Sequence, residues 1–584
     1  KFAVDESGLY SDYAAAKVAG HEIKGLINYF NCNIEDLCLP LMSLVDYRGF
    51  RLIAMSILPI RGSETIVYGS DNYGETIHNK NPDMQSLLKR AARMMNIKEH
   101  ECGISPQTSN SLCSPADLEG HVGTDNRLYL LDFSRVLPPE TPVPGIQNAH
   151  LYRLLRPEHV KLFERPLCSD AFSGFIRKFN FREDNSEIKK ATEKLINETI
   201  PLFAGDLTSM MLEARNKGDL ESFRLTEAIH RQGINVRYIG LLRKHIKELD
   251  PRTFLLVEMS ARIVKNKLRK VLRKKMKELK VPLEEPYRRL VISYLNLVLG
   301  DSEASEEYWN NNLKKSLQRT FVEGLSKQET NVAYSLKSSL NNFSNDRVDG
   351  KLLLFLRLQK MTGLRFTNRI NDEFTQNPNN WAPRGAQPLD ETDLEDIGLR
   401  VKHMNIISHA QGFVLQMKGA MAWAHDPIAA ERFYNMAITK YEEALDTNPN
   451  DYQALIRCAE IATQFIEGHA RGVAAMKYNI EMPQVQYANM LYQRAVTANP
   501  NDSYGLYRYA QFLDKCNIPE TAEEMFLRSL EADPENVACL QEYGNFLSEN
   551  SKHDIAELFF VRGSELAQIY STNSNQPASN VPVH

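Results

Sequence analysis

Asp117 and Asp132 are fifteen residues apart, and they are the two residues whose types and spacing come nearest to a reaction centre. Asp132 ends the run LYLLDF on an expected strand, and Asp117 lies at the head of the strand before it. In kinase-like folds, two acids on such a hairpin hold magnesium and place a base for phosphoryl transfer. The rest of that machinery is missing from the sequence. Phe133 is followed by Ser134 where glycine is needed, and no GxxxxGK(S/T), GxGxxG or GxSxG stretch occurs. Gly62-Ser63 between two strands is a poor phosphate cradle. In the simpler reading Asp125 and Asn126 make a turn, while Asp117, Arg127, Asp132 and Arg135 form salt bridges. No catalytic residue is assigned, and a degenerate kinase-like nucleotide-binding protein is the most distant of three readings.

Metal chemistry is no better supported. The eight cysteines, at 32, 38, 102, 113, 168, 458, 516 and 539, include no CxxC pair, and there is no HExxH. Cys32 with Cys38, or Cys102 with Cys113 near His100 and His121, lack the tight paired spacing of structural zinc sites. Single histidines such as His121 and His230 read as structural. No metal and no cofactor are expected, and the sparse, irregular cysteines fit reduced thiols.

The strongest charge feature is RIVKNKLRKVLRKKMKELK, residues 262–280, with ten Lys or Arg and one acid, Glu278. Val264, Leu268, Val271, Leu272, Met276 and Leu279 recur at helical spacing, so one face can pack while cations project from the rest. Phosphates suit such a face, because each one neutralised releases counterions. Arg262, Lys265, Arg269, Lys270, Arg273, Lys274 and Lys275 are the candidate RNA contacts. A solvated helix face, a membrane surface or a protein partner would use the same residues.

Positioning these groups requires several domains, since 584 residues exceed a single core. The composition is ordinary for globular protein, 43% hydrophobic and 25% charged, and a net charge of -4 excludes a polycation. No apolar run approaches the roughly 20 residues of a membrane helix, and KFAVDESGLY has no signal core. A cytoplasmic location is expected. The pattern gives an α+β unit over 1–150 and a mostly helical region over 151–376. A polar linker follows at 377–395, then a helical-repeat domain at 396–570 and a disordered tail at 571–584. Strand runs at Leu52–Ile60 and Thr65–Tyr68 flank a turn at Arg61-Gly62-Ser63, and a hairpin joins Ala116–Val122 to Leu128–Phe133. A helix over 83–97 would pack Met84, Leu87, Leu88, Ala91, Met94 and Met95.

The C-terminal part repeats. Pro500 and Pro534 are 34 residues apart, and Pro449 sits in the same frame. Tyr441, Tyr492 and Phe526 lie eight residues before these prolines. Leu455, Leu506 and Leu540 lie six after, and Ala459, Ala510 and Gly544 ten after. Small residues at a helix crossing and proline at the turn, with this period, are the tetratricopeptide signature. The 51 residues from Pro449 to Pro500 place an insertion near 465–485.

DLEGHVGTDNRLYLLDFSRVLPPE (117–140) and YRGFRLIAMSILPIRGSETIVYGSD (47–71) resemble the Clu domain of the clustered mitochondria proteins. So do AIHRQGINVRYIGLL (228–242), EMSARIVKNKLRKVLR (258–273) and YLNLVLGDSEASEEYWNNNL (294–313). Tetratricopeptide repeats after that domain complete the family's order. The resemblance implies a cytoplasmic, non-catalytic adaptor that associates with messenger RNA and the translation machinery and affects mitochondrial distribution. Its repeats would bind proteins or peptides. Within the motif around Gly233 and Gly240, Arg237 suits a phosphate or a buried carboxylate, and Tyr238 a base or the core. The alternative is a pure protein-interaction scaffold without RNA.

Overall fold

The computed structural model describes residues 12–574 except 33, 35, 106, 146–147, 177–180, 282, 345–348, 377–387, 398–399 and 470–476. The chain forms two compact units that divide between Lys402 and His403. The first is α+β at its start and mainly helical thereafter, and the second is a solenoid of paired helices. Among the described residues no helix is long and apolar enough to cross a membrane.

The sheet of the first unit is organised by the expected hairpin. Glu119–Val122 pairs antiparallel with Leu128–Leu131, closed by a turn in which Asn126 takes a left-handed φ of 63° and Tyr129 donates to Asp125 at 2.7 Å. Ile66–Gly69 adds antiparallel to Glu119–Val122. The other expected strand run belongs elsewhere. Phe50–Met55 pairs back onto Met42–Tyr47 in a separate sheet, through a turn at Arg48 and Gly49, both of positive φ. Gly62–Glu64 is a short 3-10 turn between the two sheets, so the runs at Leu52 and Thr65 do not form a hairpin with each other.

The helix Pro82–Met95 is capped by the Asn81 side chain, which accepts from the Met84 amide at 2.9 Å, and ends at left-handed Asn96. It buries Met84, Leu88, Ala91, Ala92 and Met95. Met94 points to solvent, because it falls off the stripe that the other five define.

The core of the helical region is the 31-residue helix Leu249–Leu279. Its first half is buried almost all round, from Thr253 to Ala261, whereas its second half keeps only Leu268 and Leu272 inside. A helix enclosed on every side belongs at a domain centre, and a one-stripe helix at its surface. This helix is both in succession. Gly350–Thr362 packs along it, with Arg357 reaching Glu258 at 2.9 Å.

The linker expected at 377–395 lies outside the described residues up to 387, and its remainder is not loose chain. Leu389 is buried and exchanges two hydrogen bonds with the Asn296 side chain, and Leu394–Asp396 pairs with Arg365–Phe366.

The second unit stacks four helix pairs: Asn405–Ala422 with Pro427–Thr447, Tyr452–His469 with Pro483–Ala498, Ser503–Lys515 with Pro519–Ala532, and Val537–Glu549 with His553–Ser574. Tyr441, Tyr492 and Phe526 are buried on second helices, and Leu455, Leu506 and Leu540 on the first helices that follow. Pro449, Pro500 and Pro534 occupy the turns between pairs. The insertion separates the two helices of the second pair. Ser571–Ser574 close the last helix, and the rest of the expected tail lies outside the described residues.

Candidate functional site

The small residue of each repeat sets how closely its helices cross. A Cβ on Gly544 would stand 2.6 Å from the Phe560 ring, and one on Gly412, in the first pair, 2.8 Å from that of Tyr441. Ala459 and Ala510 are fully buried at the same frame position. Aromatic rings fill the layers between: Tyr492 stacks on Tyr509 at 5.5 Å, and Phe526 on Tyr543 at 5.4 Å.

With the positions six and ten after each proline committed to the core, those four, eight and eleven after it share another helix face. Eight after come Arg457, Arg508 and Glu542, and eleven after come Glu460, Gln511 and Asn545. The structure joins these first-helix residues into a polar row. Glu460 is 5% exposed and accepts from Arg457 at 3.0 Å, Arg508 at 2.9 Å and the Tyr504 hydroxyl. Arg457 also lies over the rings of Phe413 and Tyr504, 5.3 and 5.0 Å from their centroids. Burial alone would lower the Arg457 pKa, and Glu460 with Tyr504 more than offsets it.

Two depressions flank this row. One of about 170 Å³ is lined by His409, Gln453, Arg457, Asp502 and Tyr504, and one of about 160 Å³ by Glu460, Tyr492, Arg508 and Gln511. A third, of about 400 Å³, continues over Asp514, Glu542, Asn545 and Glu549. One end of the face therefore presents two guanidinium groups beside the carboxylates of Glu460 and Asp502, and the other carries three carboxylates with Lys515. Sequence reading missed this row, although Arg457 and Arg508 recurring eight residues after successive prolines was the signal for it.

The basic stretch divides in two. Arg262 donates to Thr226 at 2.8 Å, Arg269 pairs with Asp46, and Arg273 donates to the Gly49 carbonyl at 2.7 Å. These arginines bind the β-hairpin and a neighbouring helix to the long helix. A Cβ on Gly49 would strike the Arg269 carbonyl at 2.2 Å, so the hairpin turn must be glycine to dock there. Lys265 is also turned inward. Lys270 and Lys274 are exposed and Lys275 is half-buried beside Val271 and Arg289, so of the seven candidates these three lysines form the outward group.

Arg237 and Tyr238 both reach the buried carboxylate Glu140, at 3.1 and 3.0 Å, and Arg237 also donates to the Leu154 carbonyl. Gly233 presses on His159 and Gly240 on Phe321, so the motif is a packing junction. The expected acid pair is likewise absorbed. Asp117 accepts from Arg135 at 2.8 Å, whose other arm holds Asp170 at 2.7 Å, and Asp132 takes a left-handed turn conformation.

One group of candidate ligand atoms does converge: His100, Cys102 and Asp170, all buried, lie within 4.8 Å of one another. Asp170 already accepts from His100, Arg135 and the Ala116 amide, which accounts for its low pKa despite burial. The arginine on that carboxylate makes the cluster an ion-pair network.

Residues 1–142 match the sequence model of the family described as Clustered mitochondria. Residues 219–377 match Translation initiation factor eIF3 subunit 135, and residues 491–524 match Tetratricopeptide repeat. The clustered mitochondria protein of Arabidopsis thaliana is 26% identical over 346 residues, 45% of this chain and 24% of that protein. The Homo sapiens homolog is 34% identical over 141 residues, 23% of this chain and 11% of that one. Protein clueless of Drosophila persimilis is 31% identical over 147 residues, 24% and 10% respectively. The chain thus spans a quarter or less of the length of these relatives. Among solved structures, a MamA RS-1 ArsTM double mutant aligns over 28% of this chain and 76% of its own, with 19% identity and a TM-score of 0.22.

Proposed function

We propose that this chain, in which a Clu domain at the N-terminus precedes tetratricopeptide repeats at the C-terminus, is a cytoplasmic, non-catalytic adaptor. Its repeats hold a protein segment, and its first unit associates with messenger RNA or the translation machinery. Together these act on the distribution of mitochondria, a reading supported by the name clustered mitochondria that two of its relatives carry. The observation that carries this reading is the polar row over Arg457, Glu460, Tyr504 and Arg508, with depressions on both sides. Solenoids present such faces to extended peptides. Fixed charges there favour a segment that brings an acid to the two arginines and a base to Asp514, Glu542 and Glu549.

The translation half draws support from the match over 219–377 and from outward Lys270, Lys274 and Lys275. A pure protein scaffold is the second reading. It is favoured by the internal use of Arg237, Tyr238, Arg262, Arg269 and Arg273, which leaves a small basic patch.

RNA affinity of the full chain, measured by filter binding from about 50 to 300 mM salt, separates the two. Binding that weakens steeply with salt, and is lost in Lys270→Glu/Lys274→Glu/Lys275→Glu with an unchanged circular dichroism spectrum, supports the adaptor. Absence of binding at the lowest salt leaves the scaffold. An array of extended peptides, probed with wild type and Arg508→Glu, tests the groove in either case.

A further inference from the structure

The helix Glu285–Leu299 is apolar round most of its circumference, yet only part of that surface is covered. Tyr287, Val291, Leu295 and Val298 are buried in the first unit. Pro286, Leu290, Tyr294 and Leu297 recur every three or four residues on the adjoining face, and each is only half-buried. A helix with so wide an apolar surface belongs between two layers. In place of the second layer lies a depression of about 1090 Å³, lined also by Val271 and Lys275 of the long helix and by Leu283. Val271 and Leu283 are 36% and 65% exposed.

The stripe from Pro286 to Leu297 runs about 16 Å at the helical rise, three turns long. The depression is at the upper limit of small-molecule pockets, about 1,000 Å³, and its apolar side chains stand half-exposed where such a pocket would enclose them. Its two main walls are helices, whose main-chain groups are already paired along their own axes. An occupant therefore gains from side-chain contact, and one that pairs its own main chain loses least.

The two rims differ in charge. On the long helix, Lys267, Lys270 and Lys274 recur at helical spacing beside Val271 and Lys275. Lys267 lies 6.0 Å from the Tyr308 ring, whose hydroxyl meets that of Tyr294 at 2.5 Å, so the row follows the depression. Lys270 and Lys275 have no partner among the described residues, and Lys274 has only Glu278 at 3.9 Å. Burial, with Lys270 and Arg319 close by, holds the Lys267 pKa below its ordinary value. The opposite rim answers its own charges. Glu284 holds Arg288 at 2.7 Å, and Arg289 pairs with Glu285 and, at 3.3 Å, with Glu391.

We propose that this depression docks an amphipathic α-helix of a partner protein, with an apolar stripe on Leu283, Leu290, Tyr294 and Leu297 and a row of Asp or Glu facing Lys267, Lys270, Lys274 and Lys275. It is a protein-binding surface of the first unit itself, beyond the peptide groove proposed for the repeats. The charge difference between the rims sets the orientation, because an acidic row finds unpaired cations on the long helix and carboxylates on the other side. A nucleic acid fits less well. Among the described lining residues only Tyr294 is aromatic, so bases have little to stack on, and phosphates crossing the depression would meet Glu284 and Glu285.

The test selects displayed helical peptides of about fifteen residues, enough to span the stripe, against the full chain. One pool carries Glu along one flank and the other carries Lys there, with the apolar stripe randomised in both. The best peptide of each pool is then titrated by fluorescence anisotropy. The Glu peptide should bind about tenfold tighter than the Lys peptide, and more weakly as salt rises. Val271→Ser/Leu283→Ser should weaken it about tenfold, the cost of truncating interface anchors, and Lys270→Gln/Lys275→Gln should weaken it by a similar factor and reduce the salt dependence. Leu558→Ser, at an exposed leucine of the second unit, should keep the wild-type affinity. The proposal is overturned if neither pool yields a binder, if the Lys peptide binds as well, or if both depression variants leave binding unchanged. Loss of binding in Arg508→Glu alone would place the peptide on the repeats and overturn it too, as would RNA binding that needs Val271 and Leu283. Should a depression variant fail to fold, a photo-crosslinker on the stripe of the Glu peptide decides with wild type. Label within residues 267–302 supports the site, and label elsewhere rejects it.

Discussion

In the repeats, Arg457 from the same helix and Arg508 from the next pair converge on the buried Glu460 carboxylate, which also accepts from the Tyr504 hydroxyl. In the first unit, the half-buried Lys24 and Lys265 ammonium groups have no hydrogen-bond or ion-pair partner among the described residues. The two places bury the same kind of charge with opposite consequences. A neutralised cluster contributes to the fold holding it, so it is conspicuous by what its loss would do. An unneutralised cluster works against its fold until something binds, so it is conspicuous by what its removal would relieve. Stability measurements therefore tell a structural ion cluster from a ligand site before any ligand is known.

Glu460→Ala should produce the largest effect. It leaves two guanidinium groups without a carboxylate between them, with only the Tyr504 hydroxyl accepting from Arg457 and the Gln511 side chain accepting from Arg508. A loss of about 2–4 kcal/mol is expected, somewhat below the roughly 3–5 kcal/mol of breaking a fully buried pair, because both arginines are partly exposed. Urea denaturation of the second unit would measure it. A loss below about 0.5 kcal/mol, the scale of an ordinary surface substitution, would mean the row is solvated and the comparison fails.

Gly544→Ala follows. Its new methyl group would meet the Phe560 ring at 2.6 Å, and Phe560 is one of the rings packed against the repeat core. Overpacking of this kind costs about 1–3 kcal/mol, and the better helix propensity of alanine returns at most about 1 kcal/mol. A fall in melting temperature confined to the second unit checks it.

Lys24 should respond to pH in the opposite sense to an ordinary paired lysine. In the free protein Lys24 is lowered from 10.5 to about 7. Between those values the unfolded chain binds the proton and the folded chain does not, so stability rises with pH from about 7 towards 10.5. Below 7 both forms are charged and the full penalty remains. The ceiling is about 1.4 kcal/mol per pH unit for one proton. Arg156, Arg237 and Lys402 act on Lys24 in the lowering direction and Glu158 against them. Denaturation at pH 7 and 9 should show the rise in wild type and its absence in Lys24→Gln, a difference that cancels the titration of buried cysteines and tyrosines elsewhere.

The two regions also differ in how much of them could be read from the chain. The tetratricopeptide frame was legible because its contacts are short in sequence. Tyr441, Tyr492 and Phe526 meet residues of the adjoining helix, so a 34-residue period exposes them. The polar row obeys the same period, but its residue types change from repeat to repeat, Arg457 and Arg508 giving way to Glu542, whereas the small and aromatic positions that make the fold keep theirs. In the first unit, Arg237 meets Glu140 across 97 residues and Arg269 meets Asp46 across 223. Nothing local marks either acid as a partner, so a basic helix that is half internal scaffold read as a uniformly charged face. The strand runs at Leu52 and Thr65 failed for a related reason. Both were strands, but their partners were set by the Arg48–Gly49 turn and by the hairpin at 119–131, not by their nearness to each other.

Charge reversal at Lys270, Lys274 and Lys275 should change stability least, because Lys270 and Lys275 have no partner among the described residues and Lys274 only a loose 3.9 Å contact with Glu278. A shift within about 0.5 kcal/mol is expected, as for surface substitutions away from special features. The sign is informative despite its size. Lys267, Lys277 and Lys280 crowd the same helix end, so replacing like charges with opposite ones at helical spacing should stabilise slightly, and more at low salt than at high salt. A stabilised protein that has lost RNA binding would mean these lysines are held for a ligand against the interest of the fold. A stabilised protein with unchanged RNA binding would leave the outward half of the helix as a solvated face.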